Sequence, residues 1–548
     1  MHLLRRLFAA LFLLSSSLVP ALAKDELVIG MTQYPSTWNP NIDSMLAKSV
    51  ILNMTARPIT GYDADWKLVC LLCTELPTIE NGKARVEEYA PGKRGMAVTI
   101  TLAPRATWSD GTPVTTRDVL FTIEVGKHPQ SGVNSQEEYR RIREVTVIDD
   151  KTFTLHVDRV TYDYNAIDLR LLPAHIEREA FREPLEYRNR TRFSDPTGPG
   201  LWFGPYRITQ ITPGAQVVLE RNPTWFGAPP FFRRIVFRII ENTAALEANL
   251  LSGGIDYVLG ELGFSLDQAL AFERRHGGRF NVVYKPGLVY EHIDVNLENP
   301  LLSDKRVRQA LLYGLDREAI SQKLFEGKQP VAHSNIPPLD PMYSPAAPHY
   351  GYDPARARSL LEAAGFSEVR DGFRYRNGQK LSLDFVTTAG NRTREQVQQV
   401  LQSQWRQIGV EIRLRNEPPR IFSSETLSKR GLTGLAMYAW VSAPQSSPRS
   451  TLHSREIPSA QNNWTGQNFP AYRNPEMDGV IDALETELDV EKRRALFAEE
   501  QRIYAEDLPV LPLYFRTDPF VLPKQLKGVV PTGHMHSSTL WVEHWRWE

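Results

Sequence analysis

The chain has 548 residues, 42% of them hydrophobic and 23% charged, which is enough apolar material for several packed domains. Lys+Arg and Asp+Glu both count 64, and no basic stripe runs along the sequence, which argues against a nucleic-acid surface. Beyond the N-terminus no apolar run reaches the length of a membrane span, and two cysteines cannot staple a fold of this size.

The N-terminus reads as an export signal over residues 1–23. Arg5 and Arg6 form a short positive region, an apolar stretch runs over 7–19, and Pro20-Ala21-Leu22-Ala23 supplies a small-residue cleavage site. Cleavage after Ala23 removes two arginines and no acid. With no cysteine at the cut, a lipid anchor is not expected, and the mature chain is read as a periplasmic protein.

Residues 27–31 read as a buried strand, and the turn-rich stretch 33–40 follows it. Helical spacing covers 45–54, and residues 97–102, 145–148 and 152–157 alternate as strands. Between them a helix opens over 115–125, with Thr115 as cap and Asp118 placed at the positive end of its dipole. Strands are expected at 205–208, 216–219 and 235–240, and a helix over 243–251 halted by Gly253-Gly254. From 293 onward strands (293–296, 381–387, 410–414) alternate with helices (305–313, 353–364, 394–408). Separate β-rich and α/β zones argue for a mixed α/β and α+β protein of several units.

Catalytic signatures are absent: no Gly-x-Ser-x-Gly elbow, no His-Glu-x-x-His pair and no phosphate-cradling Gly-rich loop before Lys-Ser/Thr. No catalytic residue, cofactor or metal site is therefore expected. Cys70-Leu-Leu-Cys73 lacks both a thioredoxin-like setting and companion zinc ligands. It reads either as a local disulfide or as two buried thiols steadying a turn before Pro77.

The segment Trp108-Ser-Asp-Gly-Thr-Pro-Val-Thr-Thr-Arg-Asp-Val119 is the most specific motif in the chain. Gly204-Pro-Tyr206, Arg221-Asn-Pro-Thr-Trp225 and Leu250-Leu-Ser-Gly-Gly-Ile-Asp256 follow it. Then come Asn296, Leu302-Ser-Asp-Lys-Arg-Val-Arg-Gln-Ala-Leu311, Asp316-Arg317, Tyr352-Asp-Pro354, Ala364-Gly-Phe366 and Leu511-Pro-Leu-Tyr514. In this order they resemble the family 5 extracellular solute-binding proteins of ABC transporters. Most of these residues have structural reasons: a tight turn at Asp110-Gly111, a cap at Thr115, and Arg306 and Arg308 docked on acids or carbonyls.

The resemblance implies a two-lobed, hinged binding protein with an extra domain inserted into the first lobe. On the sequence, the first lobe would comprise 24–60, 191–285 and 506–548, the β-rich insertion 61–190 and the second lobe 286–505. It further implies a monomeric, non-enzymic component that captures a small peptide or peptide-like solute and presents it to a permease and its ATPase subunits. An enzyme or chaperone on the same scaffold is the alternative.

The family's peptide binders hold the ligand's amino terminus with an aspartate shortly after a tryptophan. Here Trp440 matches the tryptophan, Ala443 stands in place of the aspartate, and no acid follows until Glu456. A buried ammonium without a carboxylate is costly, so Glu291 is read as the substitute acid, with an opine, glycoside or modified peptide as the other solutions. The candidate ligand-binding residues are Gln33, Tyr34, Tyr290, Glu291, His292, Trp440, Ser442, Ala443, Asn462, Asn463 and Trp464.

Overall fold

Two long strands, Phe280–Val295 and Val510–Pro523, pair antiparallel and form the spine of the molecule. They occupy the middle of a ten-stranded sheet in the computed structural model. That structure describes residues 24–548 apart from Asp43, Ser44, Asn134, Ser135, Glu241, Glu261, Pro419, Arg420, Asn463 and Thr465, so the expected leader lies outside the described residues.

On one side of the spine lie Glu26–Met31, Tyr206–Thr212, Gln216–Arg221, Arg234–Ile239 and Tyr257–Val258. On the other lie Ser382–Thr388, Glu411–Glu417 and Leu435–Val441. The ribbon's pairing runs from Phe280 opposite Pro523 to Pro286 opposite Thr517, breaks, and resumes at Tyr290 opposite Phe515. The apolar cores divide along the same line. One is built from Leu27 through Leu262 together with Leu522 to Trp545, and another from Ile293 through Tyr514. A separate four-stranded sheet, ordered 84–90, 93–101, 152–157 and 142–147, shares the first of these cores. Among the described residues no helix is long and apolar enough to cross a membrane.

The helix expected at 115–125 spans Thr116–Lys127. Thr115 and Asp118 form its capping box, and the Asp118 carboxylate also accepts from Trp108 Nε1 and the Ala174 amide. Gly204 sits so close to the Thr55–Ala56 backbone that an added Cβ would lie 2.5 Å from Thr55 C. The Asn222 side chain donates to the Gly204 carbonyl at 2.9 Å, and Thr224 Oγ1 to the Trp108 carbonyl at 3.2 Å. Three sequence motifs thus close on one another. Arg306 pairs with Asp304, and Arg308 donates to the Leu302, Ser303 and Asp507 carbonyls, which gives both a structural duty. Cys70 and Cys73 are joined by a disulfide at the end of the short strand Leu68–Cys70.

Because backbone rather than a movable side chain blocks the space, Gly204→Ala is expected to cost about 2 kcal/mol of stability. Chemical denaturation followed by tryptophan fluorescence checks this; an unchanged midpoint would show that the segment tolerates the methyl group.

Candidate functional site

Strand geometry decides which candidates share a surface. Side chains alternate along Phe280–Val295, so Leu288, Tyr290, His292 and Asp294 face one way and Glu291, Ile293 and Val295 the other. The first set lines a cavity of about 500 Å³. Leu435–Val441 pairs alongside with Trp440 opposite Tyr290 and Tyr438 opposite His292, which brings Trp440 to the same wall. The Trp440 and His292 rings lie nearly parallel, 6.4 Å between centroids.

The loop after this strand contributes Ser442, Ala443, Gln445 and Ser446. A segment far away in sequence supplies Asn335 and Asp340, and the helix Val490–Asp507 supplies Phe497 and Tyr504. Met535 reaches in from the C-terminal segment, and Tyr162 of the β-rich region donates to the Gln445 carbonyl at the rim. The cavity therefore lies where the two sides of the molecule meet.

Its polar groups are mutually held. The Tyr290 and Tyr504 hydroxyls are 2.7 Å apart. Tyr438 donates to Asp294 Oδ2 at 2.6 Å, and His292 Nε2 lies 3.3 Å from Asp294 Oδ1, outside hydrogen-bond geometry. The Asp340 oxygens accept from the Met342 and Gln445 amides at 2.8 and 2.6 Å. Burial raises the Asp340 carboxyl above its ordinary value against the pull of those amides. Among the described residues two carboxyl side chains line the cavity, and neither Lys nor Arg does.

Glu291 is a correction to the sequence reading. Its carboxylate is fully buried on the face away from the cavity, where Arg394 Nε donates at 2.5 Å and Arg516 Nη2 at 2.6 Å. Burial works to raise this carboxyl, but the Arg516 and Arg394 charges outweigh it and hold it below the usual carboxylate range. An acid engaged in this way has no capacity for a ligand ammonium. Gln33 is exposed and Tyr34 packs edge-on against Trp38 in the first core, so neither reaches the cavity. Trp464 is 39% exposed and also stands off the cavity; Asn462 ends the short turn Ala460–Asn462, and Asn463 is outside the described residues. Of the candidates, Tyr290, His292, Trp440, Ser442 and Ala443 come together.

Asp294, Asn335, Asp340, Gln445 and Tyr504 were missed. Asp294 follows from extending the Tyr290–His292 alternation by one step. The others arrive from segments whose sequence carries no signal of proximity. No group of three or more His, Cys, Asp or Glu among the described residues is arranged to hold a metal ion.

The family model for bacterial extracellular solute-binding proteins, family 5, matches residues 86–463. The oligopeptide-binding protein AppA of Bacillus subtilis is 25% identical over 515 residues, covering 92% of this chain and 88% of its own. OppA of Mycobacterium bovis is 29% identical over 75% of this chain and 67% of its own. Among solved structures, an oligopeptide-binding protein of Thermus thermophilus complexed with a pentapeptide superimposes with a TM-score of 0.69. That structure is 32% identical over 96% of both chains. The chain belongs to the family 5 bacterial extracellular solute-binding proteins, and its fold is their two-lobed α/β architecture.

The buried carboxyls give two expected outcomes. Glu291→Gln strips the charge partner from two arginines, of which Arg394 is 12% and Arg516 37% exposed. Solvent screens the more open one, so we expect a loss of about 3 kcal/mol in denaturant unfolding rather than more. Glu500, also fully buried, has its carboxyl pushed up by burial to about 8, tempered by the nearby Asn335 amide. The folded chain therefore holds this proton more tightly than the unfolded one. The stability it contributes is full below about pH 4.5 and lost as pH rises to about 8. Thermal melts should decline over that window in the wild type and decline less in Glu500→Gln.

Proposed function

We propose that this protein is the substrate-binding component of an ABC importer that captures a peptide or peptide-like solute with a free amino terminus. It carries no catalytic activity of its own and delivers its ligand to a membrane permease powered by separate ATPase subunits. The small-residue cleavage site after Ala23 supports export to the periplasm without a lipid anchor. We assign the hinge to the paired long strands, whose register breaks between Pro286 and Tyr290. Residues 24–60, 191–285 and 506–548 then form the first lobe, 286–505 the second, and 61–190 the insertion.

The observation that carries the reading is the cavity's charge: Asp294 and Asp340 in its walls, with no Lys or Arg among the described lining residues to balance them. A buried negative site favours a cationic group, and the amino terminus of a short peptide supplies one. Asp340 is the better placed of the two acids. Each oxygen accepts one backbone amide and keeps a lone pair, and one of those amides belongs to Gln445, two residues beyond Ala443. The carboxylate missing at position 443 is thereby supplied by a separate segment packed against the same loop. Kinship with relatives named as oligopeptide-binding, and with a structure holding a pentapeptide, supports the same ligand class.

Calorimetry with trialanine and N-acetyl-trialanine tests this. The wild type should bind the free amine at least roughly tenfold more tightly, and Asp340→Asn should bind the two alike. A purely structural loss would weaken both peptides equally. Equal binding by the wild type would overturn the role of Asp340, and binding of neither peptide would overturn the peptide ligand.

A further inference from the structure

We infer that Tyr162 is a positioning residue for ammonium recognition, holding the Gln445 peptide unit on Asp340 when the lobes close; this rests on the role given to Asp340 above. Gln445 lines the cavity and adopts a left-handed backbone, with φ of 58°, a region that residues bearing a Cβ rarely enter. Both polar groups of its backbone are engaged. The amide donates to Asp340 Oδ2 at 2.6 Å, and the carbonyl accepts the Tyr162 hydroxyl. A non-glycine residue persists in this region where surrounding contacts impose it, and such positions gather at ligand clamps. Here the contacts are an acid from one segment and a tyrosine from another.

Tyr162 is itself firmly placed. Its amide donates to the Glu485 carbonyl at 3.2 Å, and its ring packs against the apolar cluster that contains Met342 and Phe497. The Arg493 guanidinium lies over that ring, 4.9 Å from its centre. Glu485 also grips the loop beyond Gln445, its carboxylate accepting from Ser447 Oγ and Arg449 Nε at 2.7 Å each. On the division assigned above, Tyr162 belongs to the insertion, and Gln445, Asp340 and Glu485 to the second lobe. The hydroxyl therefore reaches Gln445 only while these two parts are together. Loss of the hydroxyl frees the carbonyl, lets residue 445 relax toward the right-handed region, and turns its amide away from Asp340. The carboxylate then loses one of the two amides that orient it. Closure and ammonium recognition are thereby coupled through one peptide unit.

The test is calorimetry with trialanine and N-acetyl-trialanine on Tyr162→Phe, which keeps the ring beneath Arg493 and removes the hydroxyl alone. The wild type should favour the free amine at least roughly tenfold, and Tyr162→Phe should cut that preference to about threefold or less. Adding Gln445→Gly, which opens the left-handed region without strain, should restore most of the preference in the double variant. A Tyr162→Phe protein that keeps the full preference, or weakens both peptides equally, would overturn the positioning role and leave Asp340 in place. A double variant no more selective than Tyr162→Phe would overturn the route through the Gln445 backbone. A wild type that binds the two peptides alike, or binds neither, would overturn the reading of Asp340 and this inference with it.

Discussion

The two-residue period of the strand Phe280–Val295 is the constraint on which the site depends. It turns Tyr290, His292 and Asp294 to the cavity and Glu291 to the reverse face, where two arginines close on it. A one-residue slip in register would exchange these sets. It would place the ion cluster in the ligand space and the aromatic wall against Arg394 and Arg516. The Glu291 cluster therefore helps specify register as well as join elements. Arg394 comes from the helix Arg392–Gln407 and Arg516 from the returning strand. One buried carboxylate pins three elements where the two long strands run side by side.

This arrangement explains which parts were legible in the sequence. Elements with a clean period and clear ends were read closely: Lys305–Tyr313 matches its expectation, and Thr243–Ser252 and Arg234–Ile239 differ by a residue or so. The spine was hardest to see. Only 293–296 of the first long strand is read as a strand, and 511–514 of the second stands out only as a motif, because Pro286-Gly287, Pro512 and Pro519 look like strand breakers. In the structure Pro286 and Gly287 coincide with the break in the ladder, and Pro512 sits beside a register shift between Glu291 and His292. The irregularity of the ribbon accommodates the prolines that disguised it.

The site was legible only in part, for a related reason. Tyr290, Glu291 and His292 were grouped as neighbours in sequence, although consecutive strand residues cannot share a face. Asp340 and Asn335 come from a loop, and Phe497 and Tyr504 from a helix whose buried polar residues, including Glu500 and Gln501, hide its inner face. Polar residues on a buried stripe defeat a search for apolar periodicity, and they are the residues a binding cavity requires.

Charge is distributed unevenly across these two faces of one sheet. On the reverse face a carboxylate meets two guanidinium groups and is satisfied within the protein. On the cavity side Asp294 and Asp340 meet no Lys or Arg among the described lining residues: the Tyr438 hydroxyl partners the first, with His292 beside it, and the Met342 and Gln445 amides partner the second. Burying carboxylates with no cationic partner opposes folding even where neutral donors satisfy them. A soluble protein retains that cost where a later partner offsets it. Micromolar binding requires about −8 kcal/mol. Relief of uncompensated acids by a cationic ligand can supply a large share, because the desolvation has already occurred on folding rather than on binding. The same uncompensated charge would disfavour acidic solutes, so attraction and exclusion come from one set of side chains.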